Sequence, residues 1–372
     1  MAHTEELCEQ AYSCFRQVWE GSVLVSPLML FRFWGDYTRR YEEHRESLDR
    51  VAREPSVLVS TPNRMVNLID ATDEGRRRLL EMLHSSVNII VIDEAHRAAA
   101  PSCQQIVAAF VGRDSKTSVI GLTATPFRLE YFGDDPEAGT RELREVFVNL
   151  IEAEKTLGPN PREELQRREV LARPVVETIK TPTRLRVPEV ENVDAVSLEE
   201  MERIDQALKI HADNPRRRMA VFQHILPICQ GVTNSILYFG PSVRDAECMA
   251  YLLRQNGASA AVVSAATRDV IRRRVVADFK AGRIRVLCNC EVLTTGFDAP
   301  RVSHVVVARP TVSQVLYEQI IGRGLRGPKF GGTDVCTILD CEDTDEEGNA
   351  RKRPLLGYEH FRHIWKPQTI QS

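Results

Sequence analysis

The sequence predicts an α/β protein in which parallel sheets are covered by helices. Short β-branched runs alternate with amphipathic segments of helical spacing along the whole chain. The β-branched runs are almost wholly apolar, so we expect strands that are buried on both faces, as in parallel sheets between helix layers. The chain has 372 residues. Because this exceeds what one ordinary core accommodates, two domains are expected.

The first predicted element is an N-terminal helix. Thr4 can cap it, and the acidic residues that follow suit a helix N-terminus. Leu7, Ala11, Phe15 and Val18 then recur at helical spacing. The predicted strands of the first half are Ser22–Ser26, Ser56–Ser60, Val87–Ile92 and Ser118–Leu122. Those of the second half are Ser235–Phe239, Ala260–Ser264, Ile284–Cys290, Val302–Ala308 and Val335–Asp340.

The two sets of strands are separated by a connecting region of different composition. Residues 133–165 are rich in charge, glycine and proline, and a helix is predicted around Thr140–Leu157. Val175–Ile179 is strand-like and lies among prolines. We place the domain boundary near residues 172–190, which gives a first domain over residues 1–180 and a second over residues 181–372.

Composition and charge restrict the class of protein. The net charge is −3 at pH 7, so a nucleic-acid partner would be met by a local basic face rather than by the overall field. No apolar run could cross a bilayer and the first residues are acidic, so we expect a cytoplasmic protein without a membrane partner. Cys288 and Cys290 would share one side of a strand, but no second pair gives zinc-type spacing. We therefore interpret the cysteines as reduced core thiols.

Two segments of the first half place polar side chains at strand ends. NIIVIDEAHRAA, residues 88–99, ends an apolar strand with Asp93 and Glu94, where open α/β sheets bind ligands. One carboxylate can hold a hard cation and the other can accept a proton from water, although acidic residues also begin ordinary surface helices. GLTATPFR, residues 121–128, has two threonines that could hydrogen-bond the carboxylate–histidine segment or simply form a turn.

Two segments of the second half have a similar character. VLCNCEVLTTGFDAP, residues 286–300, runs from a strand into a polar turn that could also be a plain loop. YEQIIGRGLRGP, residues 317–328, places three polar residues at helical spacing, so they are predicted to project from one side: Gln319, Arg323 and Arg326. Two such arginines can neutralise charge on a transferred phosphoryl group. The alternative is a solvated basic helix end.

Taken in order along the chain, these segments resemble the motifs of superfamily 2 helicases and translocases. The matching segments are AHTEELCEQA at 2–11, VSTPNRM at 59–65, DEAH at 93–96, TAT at 123–125, ILYFGPSVRDAECMAYLL at 236–253, TTGFD at 294–298 and QIIGRGLR at 319–326. The FR after TATP and the GRGLRG ending resemble the DNA-acting branch that includes restriction-enzyme translocase subunits and XPB-like repair helicases. The resemblance implies two tandem RecA-like domains, each a parallel sheet flanked by helices, with the first incomplete at its N-terminus.

The resemblance implies ATP and Mg²⁺ as cofactors and assigns roles in the first domain. Asp93 would hold Mg²⁺, and Glu94 would polarise the hydrolytic water. His96, together with Thr123 and Thr125, would link the nucleotide site to the face that binds nucleic acid.

Further roles fall on the second domain, because ATP is bound between the two domains in this family. Arg323 and Arg326 would reach the γ-phosphate as arginine fingers, and Gln319 would help to position them. Gly296 and Asp298 would contact nucleotide and sense domain closure.

The resemblance also implies contacts with the phosphate backbone of nucleic acid, which carry little sequence information and are sensitive to salt. The implied contact residues are His3, Thr61, Arg64, Thr294 and Thr295. DNA is the expected partner and RNA is the alternative. The basic clusters Arg76–Arg78, Arg216–Arg218 and Arg272–Arg274 could add contacts, but we interpret each as a solvated helix surface.

One motif of the family has no counterpart in the sequence. Nucleotide-dependent members carry a GxGK[ST] loop whose N–H groups and lysine cradle the phosphates, and the 372 residues contain none. We therefore predict that the chain alone binds ATP weakly and hydrolyses it poorly, as expected for a truncated, split or mis-started reading frame. An upstream polypeptide that supplies this loop (Walker A), or a nuclease or modification subunit, would be a partner.

Two classes of protein therefore remain open at this point. One is an ATP-dependent helicase or translocase. The other is a non-catalytic nucleic-acid-binding or regulatory module with little ATPase activity. The presence of Asp93, Glu94, Arg323 and Arg326 favours the enzyme, because an idle site has no chemical need for all four.

Overall fold

The structure, a computed structural model, divides into two compact units. It describes residues 1–22, 28–35, 54–112, 116–123, 138–184, 206–207, 209–210, 212–231, 234–290, 292–293, 299, 301–310 and 314–344. Of these, residues 1–150 form the first unit and residues 151–344 the second. Every strand ladder in both units is parallel, which confirms the predicted fold class.

The first unit combines short parallel ladders with helices. Its helices are α1 (Glu5–Glu20), α2 (Pro62–Ile69), α3 (Glu74–Ser86), α4 (Pro101–Phe110) and α5 (Ala138–Val146). Its strands are β1 (Met29–Phe33), β2 (Ser56–Ser60), β3 (Ile89–Asp93) and β4 (Ser118–Leu122). β1 pairs with β2, and β3 pairs with β4. One apolar cluster joins β3 to α2, α3 and α4 through Ile90, Ile92 and residues of the helices.

The first two residues of the chain lie between β2 and β3 and pair with both. The Ala2 N–H donates to the Ser60 carbonyl at 3.0 Å, and the Asp93 N–H donates to the Met1 carbonyl at 3.0 Å. The amino group of Met1 also donates to the Val91 carbonyl. The two bonds to β3 have the register of a parallel ladder. The carboxyl ends of this dipeptide and of β3 therefore lie at the same edge.

The two faces of the β3–β4 ladder differ in exposure. On one face Gly121 permits close packing, because a Cβ at this position would lie 2.7 Å from Ala95 Cβ and from Phe147 Cζ. On the other face Ile89 is 59% exposed and Leu122 is 52% exposed. The prediction of burial on both faces is thus wrong for these two strands.

The second unit contains one six-stranded sheet in the order β5-β10-β9-β6-β8-β7. Its strands are β5 (Arg173–Arg184), β6 (Ile236–Phe239), β7 (Ala260–Val263), β8 (Val286–Asn289), β9 (His304–Val307) and β10 (Val335–Thr344). Its helices are α6 (Glu154–Leu157), α7 (Pro161–Arg167), α8 (Pro215–Cys229), α9 (Val243–Gln255), α10 (Asp269–Lys280) and α11 (Gln314–Gly322).

Helices bury both faces of the central strands of this sheet. On one face Val221 of α8 and Met249 of α9 pack against Tyr238 of β6. On the other, Phe279 of α10 and Ile320 of α11 join the cluster around β6 and β9. The strands β6, β8 and β9 therefore have the two-sided burial that their apolar sequences predict.

An ion pair lies inside the second unit at the start of α8. Arg217 is 1% exposed and its Nε and Nη2 bind the two carboxylate oxygens of Asp343 at 2.7 and 3.1 Å. Its Nη1 donates to the Ala308 carbonyl at 2.7 Å, and the Thr181 hydroxyl donates to Asp343 at 2.5 Å. These contacts join α8 to β5, β10 and the end of β9.

A second buried network starts from the next arginine. The Arg218 guanidinium binds Asp245 at 2.6 Å and also contacts Asp213. Asp245 accepts a hydrogen bond from Tyr238, whose pKa is raised well above its usual value by burial, so its O–H remains a donor. Interpreting Arg216–Arg218 as a solvated surface is therefore wrong for Arg217 and Arg218.

Several predicted elements differ in extent from the observed ones. β1 was not predicted, while most of the predicted strand Ser22–Ser26 lies outside the described residues. The helix predicted around Thr140–Leu157 is two helices, α5 and α6. The predicted domain boundary between residues 180 and 181 falls inside β5, which pairs with β10 and so belongs to the second unit.

Candidate functional site

The carboxylates of the DEAH segment stand at the carboxyl end of β3. Ile92 anchors the strand in the core, and Asp93 is its last residue. Glu94 follows in the left-handed region, with φ 53° and ψ 52°, and its N–H donates to Asp93 Oδ1 at 3.0 Å. A non-glycine residue in this conformation costs about 1–2 kcal/mol, and such strain concentrates at functional sites. The turn directs the chain from β3 into the short 3₁₀ helix Ala95–Arg97.

The histidine of this segment contacts the segment that follows β4. His96 Nδ1 lies 3.2 Å from Thr123 Oγ1 and 3.5 Å from a carboxylate oxygen of Glu94. The predicted contact between the two segments is therefore confirmed for Thr123. Thr125 lies outside the described residues.

A divalent cation could bind at Asp93. Mg²⁺ is commonly held by one or two carboxylates together with substrate phosphates and water. Asp93 is half-buried, and only its Oδ1 accepts a hydrogen bond that the described part of the chain supplies. The donor set thus fits Mg²⁺ bound with a phosphate. Among the described residues, no group of three or more His, Cys, Asp and Glu side chains forms a complete metal cage.

The predicted nucleic-acid contacts of the first unit lie at two strand ends. Thr61 follows β2 and precedes α2, and its hydroxyl does not cap that helix. His3 follows the paired dipeptide, and burial, followed by the charge of Arg97, lowers the pKa of its imidazole. His3 Nε2 is buried and has no hydrogen-bond partner among the described residues.

Arg64 has a structural contact that the sequence did not predict. Its guanidinium donates to the Gly35 carbonyl at 3.0 Å. Gly35 has φ 53°, and a Cβ there would lie 3.1 Å from a carboxylate oxygen of Glu5. Arg64 thus connects α2 to the turn after β1, near the start of α1.

The three polar residues of the QIIGRGLR segment do not share one helix face. Gln319 lies in α11, which ends at Gly322, so Arg323 follows the helix. Arg326 pairs with Leu171 in an isolated antiparallel bridge. Both arginines are half-buried. The prediction of a common helix face is therefore wrong, because the helix ends before either arginine is reached. Thr294, Thr295, Gly296 and Asp298 lie outside the described residues.

Comparison with known proteins assigns the family. The family described as "Type III restriction enzyme, res subunit" matches residues 1–128, and "Helicase conserved C-terminal domain" matches residues 217–327. Together with the DEAH sequence at residues 93–96, these matches identify the chain as a superfamily 2 helicase. The chain belongs to the restriction-subunit-like branch of that superfamily.

The chain is similar in sequence to two fungal proteins. It is 27% identical over 284 residues to the candidate ATP-dependent helicase IRC3 of Saccharomyces cerevisiae, covering 76% of this chain and 38% of that protein. It is 31% identical over 286 residues to the candidate mitochondrial ATP-dependent helicase irc3 of Schizosaccharomyces pombe, covering 75% of this chain and 42% of that protein. The chain thus spans about two-fifths of the length of these relatives.

Solved structures support the tandem RecA-like fold. S. cerevisiae Dbp5 bound to RNA and ADP BeF3 matches with a TM-score of 0.53 and 16% identity, over 98% of this chain and 73% of that chain. The DUF1998 helicase MrfA bound to DNA matches with a TM-score of 0.56 and 13% identity, over 92% of this chain and 40% of that chain. At such identities the likeness concerns the fold alone. Within the described residues no helix is long and apolar enough to cross a membrane.

Proposed function

We propose that the chain is the motor portion of an ATP-dependent helicase or translocase that acts on DNA. The observation that supports this best is the turn after β3, where Asp93, Glu94 and His96 are held together and His96 contacts Thr123. The description of the first matched family as a restriction-enzyme subunit favours DNA over RNA. A cytoplasmic location stays a prediction, because one relative is named as mitochondrial.

In this proposal, ATP and Mg²⁺ are the cofactors. Asp93 holds the cation, which supplies charge neutralisation at the phosphates. Glu94 orients the attacking water and accepts its proton. Arg323 and Arg326 stabilise the charge that develops on the transferred phosphoryl group, and Gln319 positions them.

The proposal extends to residues that the structure does not describe. Gly296 and Asp298 contact nucleotide, and Thr294 and Thr295 join His3, Thr61 and Arg64 in binding the nucleic-acid backbone. Because Arg64 already contacts the turn after β1, a nucleic-acid phosphate would have to share its guanidinium with the Gly35 carbonyl. Thr125 assists Thr123 in coupling.

A non-catalytic nucleic-acid-binding module is the second candidate function. It is favoured by one observation, the lack of a GxGK[ST] segment in the sequence. Such a loop provides most of the backbone contacts to the β- and γ-phosphates. We accordingly propose that the chain alone binds ATP weakly, and that an upstream polypeptide carrying this loop raises the affinity for ATP.

ATP hydrolysis measured with and without nucleic acid distinguishes the two candidates. We expect a low basal rate that single-stranded DNA stimulates more than RNA of the same length. DNA affinity should fall steeply as salt rises from about 50 to about 200 mM, because the contacts are mainly to phosphates. DNA binding without stimulated hydrolysis at saturating ATP and Mg²⁺ would favour the non-catalytic module. A chain that neither binds DNA nor hydrolyses ATP would contradict both candidate functions.

Replacement of Thr123 by Val should weaken the coupling between nucleic acid and hydrolysis. The change removes the hydroxyl that lies 3.2 Å from His96 while it preserves side-chain shape. A hydrogen bond of this kind contributes about 1 kcal/mol, so we expect the DNA-stimulated rate to fall about fivefold with the basal rate unchanged.

Thr117→Val is the matched control for this prediction. The Thr117 hydroxyl donates to the Val87 carbonyl at 2.9 Å, at the start of β4 and away from His96. The control loses a hydroxyl and a hydrogen bond in the same unit, so it should retain full stimulation. Equal stimulation ratios in the two variants would show that the His96–Thr123 contact has no coupling role.

A further inference from the structure

The loop that carries the two arginines is paired with a segment from the start of the second unit. We call residues 323–327 the arginine loop and residues 169–172 the strap. The Ala172 N–H donates to the Leu325 carbonyl at 3.1 Å, and the Gly327 N–H donates to the Val170 carbonyl at 3.0 Å. These two bonds enclose the antiparallel pair of Leu171 and Arg326. The backbone of Arg326 is therefore aligned by the strap and not by helix α11.

The two backbones approach each other so closely that only glycine fits at one point. A Cβ on Gly327 would lie 2.2 Å from the carbonyl oxygen of Glu169 and 2.7 Å from the carbonyl carbon of Val170. Glu169 itself has φ 59°, in the left-handed region, and its carbonyl accepts from the Lys329 N–H at 3.1 Å. The Glu169 side chain is exposed. This residue therefore contributes its backbone conformation and not a side-chain contact.

The opposite side of the arginine loop packs against the sheet. A Cβ on Gly324 would lie 2.5 Å from Cys336 Sγ and 2.6 Å from Val305 Cγ2. The Thr333 N–H donates to the Arg326 carbonyl at 3.1 Å. The loop is thus confined between β9 and β10 on one side and the strap on the other.

The strap is itself anchored at both ends. The N–H groups of Val170 and Leu171 donate to the Leu165 carbonyl in α7 at 2.9 and 3.2 Å. At its other end the Arg173 N–H donates to the Asp334 carbonyl at 2.8 Å, where β5 begins to pair with β10. An anchored segment of this kind can hold a second loop in a fixed position.

We propose that the strap is a positioning element for Arg326, and that the ATP turnover of the protein depends on its backbone pairing with the arginine loop. The proposal rests on the proposed function, in which Arg326 stabilises charge on the phosphoryl group. A guanidinium can do this only from a defined position, and a misplacement of about 1 Å can lower a rate about 10²-fold. Neither family match includes the strap, since they cover residues 1–128 and 217–327.

Gly327→Ala tests the proposal, with Gly322→Ala as the matched control. The added methyl group on residue 327 meets the strap backbone, whereas a Cβ on Gly322 has nothing within 4 Å. Two quantities are measured in the full chain: hydrogen exchange of the amides of Ala172, Gly327 and Lys329, and DNA-stimulated ATP turnover. For Gly327→Ala we expect loss of exchange protection and turnover lower by about 10-fold or more, with KM for ATP within about twofold. The control should match the wild type in both.

A second pair of variants keeps the test valid if Gly327→Ala fails to fold. Glu169→Pro and Glu169→Gly remove the same exposed side chain, but proline cannot adopt φ 59° and glycine can. The proline variant should lose exchange protection and turnover, and the glycine variant should keep both. A structural role alone would lower thermal stability without lowering kcat of the folded protein.

The outcomes separate this proposal from the proposed function. The positioning role would be overturned if Gly327→Ala and Glu169→Pro kept full ATP turnover. This holds even if their amides lost protection from hydrogen exchange. Retained protection in both variants would overturn the assigned pairing. A wild-type chain without turnover at saturating ATP and DNA would contradict the proposed function and with it the catalytic role of the strap. The exchange data would still decide whether the strap holds the loop.

Discussion

Replacement of Arg217 by Met is expected to lower the free energy of unfolding by about 3–5 kcal/mol. Arg217 is 1% exposed, and removal of its guanidinium leaves the buried carboxylate of Asp343 with only the Thr181 hydroxyl as its described partner. An uncompensated buried charge of this kind is far more costly than the lost contact itself. Since domains are typically stable by only about 5–15 kcal/mol, the second unit should unfold at a clearly lower urea concentration in circular dichroism.

Two comparisons show whether burial is the cause of this loss. Arg283→Met removes a guanidinium that is 66% exposed in its pair with Asp278, so it should cost less than about 1 kcal/mol. Combining Arg217→Met with Asp343→Leu removes both charges, and it should recover much of the stability lost by the single variant. A single variant that unfolds within about 1 kcal/mol of the wild type would contradict the importance of this ion pair.

Replacement of Glu94 by Gln is expected to lower DNA-stimulated ATP hydrolysis about 10²–10⁴-fold. The amide keeps the size of the side chain but cannot accept a proton from water. Because Glu94 has φ 53°, the conservative change also avoids altering the left-handed turn that places Asp93 and His96. At saturating ATP we expect the nucleotide to bind without turnover, which can be measured by equilibrium nucleotide binding together with phosphate release.

Glu81→Gln is the matched control, because Glu81 is exposed on α3 in the same unit. It should hydrolyse ATP at the wild-type rate. Turnover by Glu94→Gln at a rate similar to that of Glu81→Gln would remove Glu94 from the role of base. Such a result would leave the assignment of the fold and of the family unchanged.

The fold class and most strands could be predicted because they depend on local composition. Runs such as SVLVS and SVIGL consist mainly of β-branched or apolar residues, and β2 and β4 have the predicted limits. β1 has the sequence MLFRF, with no β-branched residue and a charged residue at its fourth position. Arg32 is accommodated there by an ion pair with Glu9 at 2.7 Å and by the ring of Tyr12 at 3.7 Å. Neither contact can be recognised from the strand itself.

The parts that could not be predicted depend on partners distant in sequence. Arg217 and Asp343 are 126 residues apart, so a run of three arginines gives no sign that two of them are buried. The helical spacing of Arg323 and Arg326 is misleading for a similar reason. α11 ends at Gly322. The chain beyond it packs against β9 and β10 and pairs with the strap instead of continuing as a helix.

The DEAH segment of the first unit was the most predictable part of the candidate site. An apolar strand that ends in Asp93 and Glu94 indicates ligand chemistry from sequence alone, and the His96–Thr123 contact agrees with it. What the sequence does not reveal is the left-handed conformation of Glu94. That conformation is common for glycine and asparagine but unusual for glutamate.

The position of β5 at the sheet edge has a practical consequence for work on isolated domains. A fragment cut at the limits of the matched helicase domain, residues 217–327, would lack β5 and β10, and with them the Asp343 carboxylate that neutralises Arg217. A fragment that starts at residue 181 would divide β5 itself. Limited proteolysis and recombinant dissection should therefore yield a stable second domain only when the fragment begins before the strap, near residue 151.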